Sequence, residues 1–223
     1  MKKEAALFSV DRINFSYKEA RFSAPIFQQF SCEIPQGKMT AIVGPSGTGK
    51  TTLLNLLGTL DVPDEGEIWF KGQSLRQFSR LEKQRYRLHQ IGFIFQDYAL
   101  IPTLSVLENT IYFLPHLGYS LATAKKRGKE VLEKLGLENH MDKYPSQLSG
   151  GQKQRVAVAR AIAKKPHVIL ADEPTANLDP KTALEMIDWL SRIQKEEQID
   201  FVFSTHDKRL IDKVDYVIDL GIR

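Results

Sequence analysis

The stretch Gly44-Pro45-Ser46-Gly47-Thr48-Gly49-Lys50-Thr51 satisfies the pattern GxxxxGK[ST] at every fixed position. A short apolar, β-branched run at residues 40–43 precedes it, and helix-forming residues 52–57 continue it, so the loop belongs between a strand and a helix. In that setting glycines let successive backbone N–H groups turn inward around phosphate oxygens, and the following helix points its positive end at the same anion. Lys50 adds a mobile cation. Thr51 places a hydroxyl where a Mg²⁺ bridging the outer phosphates needs a hard oxygen ligand. The spacing therefore predicts a nucleoside triphosphate site. A glycine-rich turn matching by accident would lack the strand before it and the helix after it.

The remaining 215 or so positions, about 223 minus 8, must build a scaffold around this loop. With 42% hydrophobic and 26% charged residues the chain is long enough for a sizeable core in one large domain, or one domain with an insertion. The net charge is +4 with basic residues scattered along the chain, so nucleic-acid binding is not expected. A single cysteine, Cys32, forms no internal disulfide, which fits a reducing compartment. The start, MKKEAALFSV, lacks the sustained apolar core of a secretion signal. The longest uncharged stretch, residues 110–124, contains Pro115, His116 and Gly118 and falls short of the ~18 to 20 apolar residues of a spanning helix.

Along the chain, residues 5–17 alternate as a strand with Ile13, Phe15 and Tyr17 on one face, and Phe30, Cys32 and Ile34 repeat the pattern in a small antiparallel β layer. Residues 66–71 add a short strand. Ser79 with Glu82 predicts a capped helix to about Gln90, and Ser105 with Glu108 another. Residues 91–95 read as an apolar strand ending at Gln96. From residue 97 to 165 the pattern turns helical, with Pro115 expected to end or kink a helix near Leu114, an amphipathic stretch over 121–135 and Gly136 as a stop. Leu148-Ser149-Gly150-Gly151-Gln152 opens a further helix to Ala163. Residues 168–171 form a continuous apolar run followed by Asp172-Glu173. Asp179 and Pro180 start a helix with Leu184, Ile187, Leu190 and Ile193 on one face, and residues 201–205 form the last core strand, followed by His206.

Four apolar strands thus end in polar groups suited to phosphate chemistry: the loop at Gly44, Gln96, Asp172-Glu173 and His206. Ligands of open parallel sheets bind outside the carboxyl ends of strands, so these groups are expected to share one site. A carboxylate there can hold Mg²⁺ through water, and a neighbouring one can orient and deprotonate an attacking water. Alone, Asp172-Glu173 would read as a solvated strand end and His206 as a capping or core histidine. The phosphate loop reverses that balance.

With LSGGQ at residues 148–152 lying between that loop and the Asp172-Glu173 strand, the sequence resembles the ATP-binding cassette (ABC) ATPases over nearly its whole length. The resemblance implies an α/β fold: a P-loop NTPase core with a mainly parallel sheet (residues 1–96 and 166–223), an N-terminal antiparallel β layer, and an inserted helical subdomain (97–165), in one ATPase domain. It implies ATP and Mg²⁺ as ligands. Residues 44–52, with Thr52 the last, would bind nucleotide, Lys50 also serving catalysis. Gln96 matches the glutamine that touches Mg²⁺, Asp172 the aspartate that holds it through water, Glu173 the catalytic glutamate, and His206 the histidine that reaches the γ-phosphate. Ala176 to Asp179 match the D-loop, and Tyr17 the aromatic that stacks on adenine.

Two such cassettes pair head to tail in that family, so Ser149, Gly150, Gly151 and Gln152 of one copy are expected to close over ATP on the phosphate loop of the other. Residues 91–109, IGFIFQDYALIPTLSVLEN, look like the lipoprotein-releasing and macrolide-exporter type, whose membrane permease is a separate chain. The expectation is a cytoplasmic protein, peripheral on the inner face of the cell membrane, that powers a transporter. The alternative is a soluble cassette ATPase acting on nucleic acid or ribosomes; such relatives carry long coiled-coil insertions or tandem cassettes, and this sequence shows neither.

Overall fold

The computed structural model describes residues 6–17, 25–176 and 178–221. Ala5, from the first expected strand, and Asn177, from the D-loop, lie outside the described residues. In chain order the elements are β1 (Ala6–Phe15), β2 (Phe27–Pro35), β3 (Met39–Val43), α1 (Lys50–Leu57), β4 (Glu65–Phe70), β5 (Gln73–Ser74), α2 (Arg80–His89), β6 (Ile91–Ile94), α3 (Val106–Ile111), α4 (Leu121–Lys134), α5 (Gly150–Ala163), β7 (Val168–Asp172), α6 (Pro180–Glu197), β8 (Asp200–Ser204), α7 (Lys208–Ile211) and β9 (Tyr216–Asp219). They fall into two compact units, Met1–Arg87 with Val202–Arg223, and Leu88–Phe201.

In the first unit β2, β1, β4 and β5 form the expected antiparallel layer in that order. Alternation buries Phe8, Val10, Ile13 and Phe15 of β1, while Arg12 takes a left-handed φ of 46° at a register shift. A Cβ on Gly66 would meet the Arg12 carbonyl oxygen at 2.4 Å, so the bulge on β1 requires glycine on β4. The almost fully buried β3 pairs in parallel with β9, from Thr40 opposite Tyr216 to Val43 opposite Asp219. Strand β9 has Tyr216 and Val217 exposed and only four residues, and its sequence pattern is too weak to read as a strand. Leu53, Leu54, Leu56 and Leu57 seat α1, and the buried Tyr86 hydroxyl donates to the Leu57 carbonyl.

In the second unit β6 and β7 pair in parallel, Ile91 opposite Val168 through Ile94 opposite Ala171. Both capping boxes foreseen for α2 and α3 form: Glu82 N–H donates to Ser79 Oγ while Ser79 N–H donates to the Glu82 carboxylate, and Ser105 and Glu108 do the same. Helix α3 ends at Ile111, three residues before the expected stop at Leu114, because Pro115 starts a separate 3₁₀ turn over Pro115–Leu117 and Leu114 precedes it as a cap. Gly128 brings α4 close to α3, where an added Cβ would meet Ile111 at 2.4 Å. Arg127 of α4 pairs with Glu197 of α6 at 3.3 Å with both side chains largely buried.

One residue of α6 departs from expectation. Leu184 is 43% exposed, and the buried stripe is Ala183, Met186, Ile187, Leu190 and Ile193. The stripe includes the small Ala183, one position before Leu184 and about 100° around the helix from it, so Leu184 is turned away from the core.

Candidate nucleotide site

The first unit holds the phosphate loop. Gly44, Gly47 and Gly49 take φ of 149°, 81° and 99°, and Pro45, Ser46 and Gly47 are exposed. A Cβ at Gly44 would lie 2.8 Å from Thr48 Oγ1, and one at Gly49 would lie 2.6 Å from Ile26, so this course of the loop needs glycine on both sides. Lys50 Nζ donates to the carbonyls of Gly44 and Pro45 at 2.8 and 3.0 Å, folded across the loop, and Thr48 Oγ1 donates to Pro45 O. Gly49 caps α1 without any side-chain hydrogen bond, whereas Ser105, Ser120, Ser149, Asp179 and Asp207 cap α3 to α7 with side-chain oxygens. An α1 start with no side-chain cap, behind a glycine-rich loop, is the arrangement in which a helix N-terminus can receive a phosphate group.

Tyr17, 45% exposed, stands beside this loop. Its hydroxyl lies 3.3 Å from Thr52 Oγ1, and its ring meets Phe15 edge-on at 5.1 Å. Thr205 N–H donates to the Ile42 carbonyl at 3.1 Å, so His206, exposed, leaves its strand at the level where Val43 enters the phosphate loop. Asp207 N–H donates to Thr205 Oγ1, and the Asp207 carboxylate caps α7, which together fix the backbone on which His206 sits.

The second unit carries the other motifs. The parallel register of β6 and β7 sends Gln96 and Asp172-Glu173 out of the same end of the pair. Gln96 is exposed, and Asp172 and Glu173 are half-buried. Glu173 has φ 47° although it precedes Pro174, a position that ordinarily favours extended backbone. Such a strained non-glycine residue persists where its surroundings over-determine it. At α5, Gln152 N–H donates to Ser149 Oγ at 3.3 Å and Ser149 N–H donates to Gln152 Oε1 at 2.9 Å. This leaves the Ser149 hydroxyl proton and the amides of Gly150 and Gly151 at an exposed helix start, an arrangement whose chemistry suits an anion. A Cβ on Gly151 would also lie 3.3 Å from Thr182 of α6, so this glycine serves packing as well as access. Asp179 caps α6 by accepting from the amides of Lys181 and Thr182, and these bonds, that of Thr182 foremost, hold its carboxyl below the usual carboxylate range.

The chain matches the ABC transporter family over residues 27–176. This chain belongs to that family. It is 36% identical over 219 residues to the lipoprotein-releasing system ATP-binding protein LolD of Xanthomonas axonopodis pv. citri, covering 98% of this chain and 90% of that one. It is 41% identical over 213 residues to LolD 1 of Rhodopirellula baltica, covering 95% and 92%. Among solved structures it resembles a dimeric post-hydrolysis state of the ATP-binding cassette MJ0796 bound to ADP and Pi, with TM-score 0.89, 36% identity, and 96% and 94% of the two chains covered. The cassette described here is accordingly an ATP-binding, ATP-hydrolysing ABC protein that uses Mg²⁺. Among the described residues no helix is long and apolar enough to cross a membrane, and no three His, Cys, Asp or Glu side chains cluster as a metal site.

Sequence reasoning missed His140, whose Nε2 lies 3.0 Å from the Gln152 side-chain nitrogen. No spacing rule joins a lone histidine to a motif 12 residues downstream, so nothing in the pattern could have found it. It missed Arg160, which bonds the Tyr98 carbonyl 62 residues away, for the same reason, and Asn109, whose bonds to the carbonyls of Ile101, Leu104 and Ser105 follow no capping rule.

Proposed function

We propose that this chain is the energy-coupling subunit of a lipoprotein-releasing type of transporter, acting as two copies that close around MgATP beneath a separate membrane permease. Its near full-length similarity to LolD supports the subtype, and the dimeric state of MJ0796 supports the pairing. The observation that carries the ATP-binding half is α1, whose first turn lacks any side-chain cap behind a loop built from three left-handed glycines. The protein would lie peripherally on the inner face of the cell membrane.

Each residue takes a role from its chemistry. The amides of residues 44–52 and Lys50 bind the phosphates, with Lys50 leaving the Gly44 and Pro45 carbonyls to do so. Tyr17 stacks on the base. Thr51 and Gln96 would hold Mg²⁺ directly and Asp172 through water, and the ion would supply charge stabilisation to the outer phosphates when bound. Glu173 accepts the proton of the attacking water, and His206 donates to the γ-phosphate. Ser149, Gly150 and Gly151 meet the phosphate bound by the second copy, with Gln152 holding Ser149 in place and Asp179 fixing the start of α6.

Glu173→Gln keeps the size of the side chain and removes the base. Hydrolysis should fall by about 10² to 10⁴-fold while ATP binding survives, so this variant should elute as an ATP-bound dimer in size-exclusion chromatography with MgATP. Lys50→Ala should bind ATP poorly and stay monomeric. Wild-type hydrolysis by Glu173→Gln would remove Glu173 from the catalytic role, and a monomer with ATP bound would contradict the paired site.

A further inference from the structure

Immediately after Gln96 the backbone makes two consecutive left-handed residues, Tyr98 at φ 66° and Ala99 at φ 43°. Neither is glycine, and each such residue is unfavourable unless something holds it. Tyr98 N–H bonds Phe95 O, closing a turn, and the carbonyls of Tyr98 and Ala99 take partners outside it. Both are taken by one side chain. Arg160 Nη2 donates to Tyr98 O at 2.8 Å and Nη1 donates to Ala99 O, with Arg160 only 7% exposed. Asp97 supplies a favourable charge beside the guanidinium, whose burial otherwise disfavours it.

Arg160 lies in the last turn of α5, the helix whose other end is capped by Ser149. From Ser149 to Arg160 is eleven residues, about 17 Å of continuous helix. Its C-terminal part, from Val156 to Ala163, is buried and cannot bend without losing packing, and the reciprocal Ser149–Gln152 bonds hold its first turn against fraying. The rest of the loop has a different anchor: Asn109, fully buried, donates to the carbonyls of Ile101, Leu104 and Ser105 and accepts from Ile101 N–H. The Tyr98-Ala99 turn is tied to α5 by a planar, two-pronged donor, a geometry that lysine does not reproduce.

We propose that Arg160 is a positioning residue for ATP hydrolysis that locks the turn after Gln96 to α5, so that this turn and the Ser149 end of the helix shift together. A displacement at Tyr98-Ala99 is then carried along a rigid rod to the residues that meet the second nucleotide. The inference rests on the reading that Ser149 to Gln152 engage ATP.

Arg160→Lys tests it in the full chain, assayed at least ten degrees below its melting midpoint. Hydrogen exchange measured by mass spectrometry should rise at residues 97–101 and also at 149–153. In the same protein kcat should fall about 3- to 30-fold, the range for loss of one coupling contact, while KM for ATP stays within twofold. If Arg160→Lys melts too low to assay, Arg160→Gln, which keeps one donor, takes its place with the same expectations. Faster exchange confined to 97–101 with kcat unchanged would make Arg160 a local staple and overturn the proposal. Failure of the underlying reading looks different: Ser149→Ala would then leave ATP-dependent dimerisation and turnover of the otherwise unmutated chain intact.

Discussion

The Nε2 atom of His140 lies 3.0 Å from the side-chain amide nitrogen of Gln152. The amide nitrogen can only donate, because Gln152 Oε1 already accepts from Ser149 N–H, so the imidazole accepts at Nε2 and carries its proton on Nδ1. That Nδ1 is buried without a hydrogen-bond partner among the described residues. An unsatisfied buried donor is costly, and here it accompanies an arrangement that pins the Gln152 side chain on both of its polar atoms.

His140→Leu removes the acceptor and frees the Gln152 amide to turn, which loosens the reciprocal bond to Ser149. The expected outcome is a several-fold drop in kcat and a higher protein concentration for half-maximal ATPase, with ATP binding to the single chain unchanged. The stability change should be small, about 1 kcal/mol or less, because the mutation also removes the unsatisfied Nδ1–H. A titration of ATPase rate against protein concentration checks it. A curve superimposing on the wild type would reduce His140 to a packing residue.

Tyr17→Ala should weaken nucleotide binding by about 1 to 3 kcal/mol, the range for loss of a base–aromatic stack. Tyr17→Phe keeps the ring and loses only the 3.3 Å contact with Thr52, so its dissociation constant should match the wild type. Calorimetric titration of both variants with ATP separates stacking from the hydroxyl contact. Equal, unaltered affinities would return Tyr17 to the role of an ordinary strand aromatic.

Tyr98, Leu100, Ile101 and Leu104 are half-buried in the turn region between β6 and α3, with apolar surface left over after packing. Leu100→Asp and Leu104→Asp should leave the chain folded and its ATP affinity intact while abolishing co-purification with the membrane permease. Circular dichroism and an affinity pull-down from detergent-solubilised membranes provide the two readouts. Unfolded variants would show these residues to be core alone.

Burial, and after it the charge of Arg160, lowers the Lys164 amine from the ordinary 10.5 to about 8, while the Phe113 ring 5.3 Å from Nζ favours the charged form without reversing the shift. Between about pH 8 and 10.5 the unfolded chain therefore binds a proton at Lys164 that the folded chain has released. Stability from this group rises with pH through that window, and is lost again as pH falls to 8. Lys164→Met removes this dependence. Urea unfolding at pH 7.5 and pH 9.5 should show wild type gaining stability relative to the variant at the higher pH; parallel changes in the two proteins would disprove the shift.

Much of this cassette is decided within short windows of sequence. The phosphate loop, the Ser105–Glu108 and Ser149–Gln152 capping boxes, and the Asp179 cap each need residues only two to seven positions apart, so local spacing determines both their chemistry and their backbone. The apolar runs of β6 and β7 likewise announce buried parallel strands, because a strand covered on both faces needs no polar alternation. Other features have no local cause. Leu184 falls outside the α6 stripe because the packing surface, and not the apolar count, chooses the buried face. The left-handed Glu173 contradicts the preference of a residue before proline. His140 reaches Gln152, and Arg160 reaches Tyr98 and Ala99, across 12 and 61 to 62 residues, where no periodicity records the pairing. The sequence by itself therefore determined the glycine-rich loop, the helix caps and where most of the elements lie, because those depend on neighbours along the chain. Only the tertiary structure decided how the motifs are held, because a buried polar side chain must find its partner wherever folding brings one within 3 Å or so.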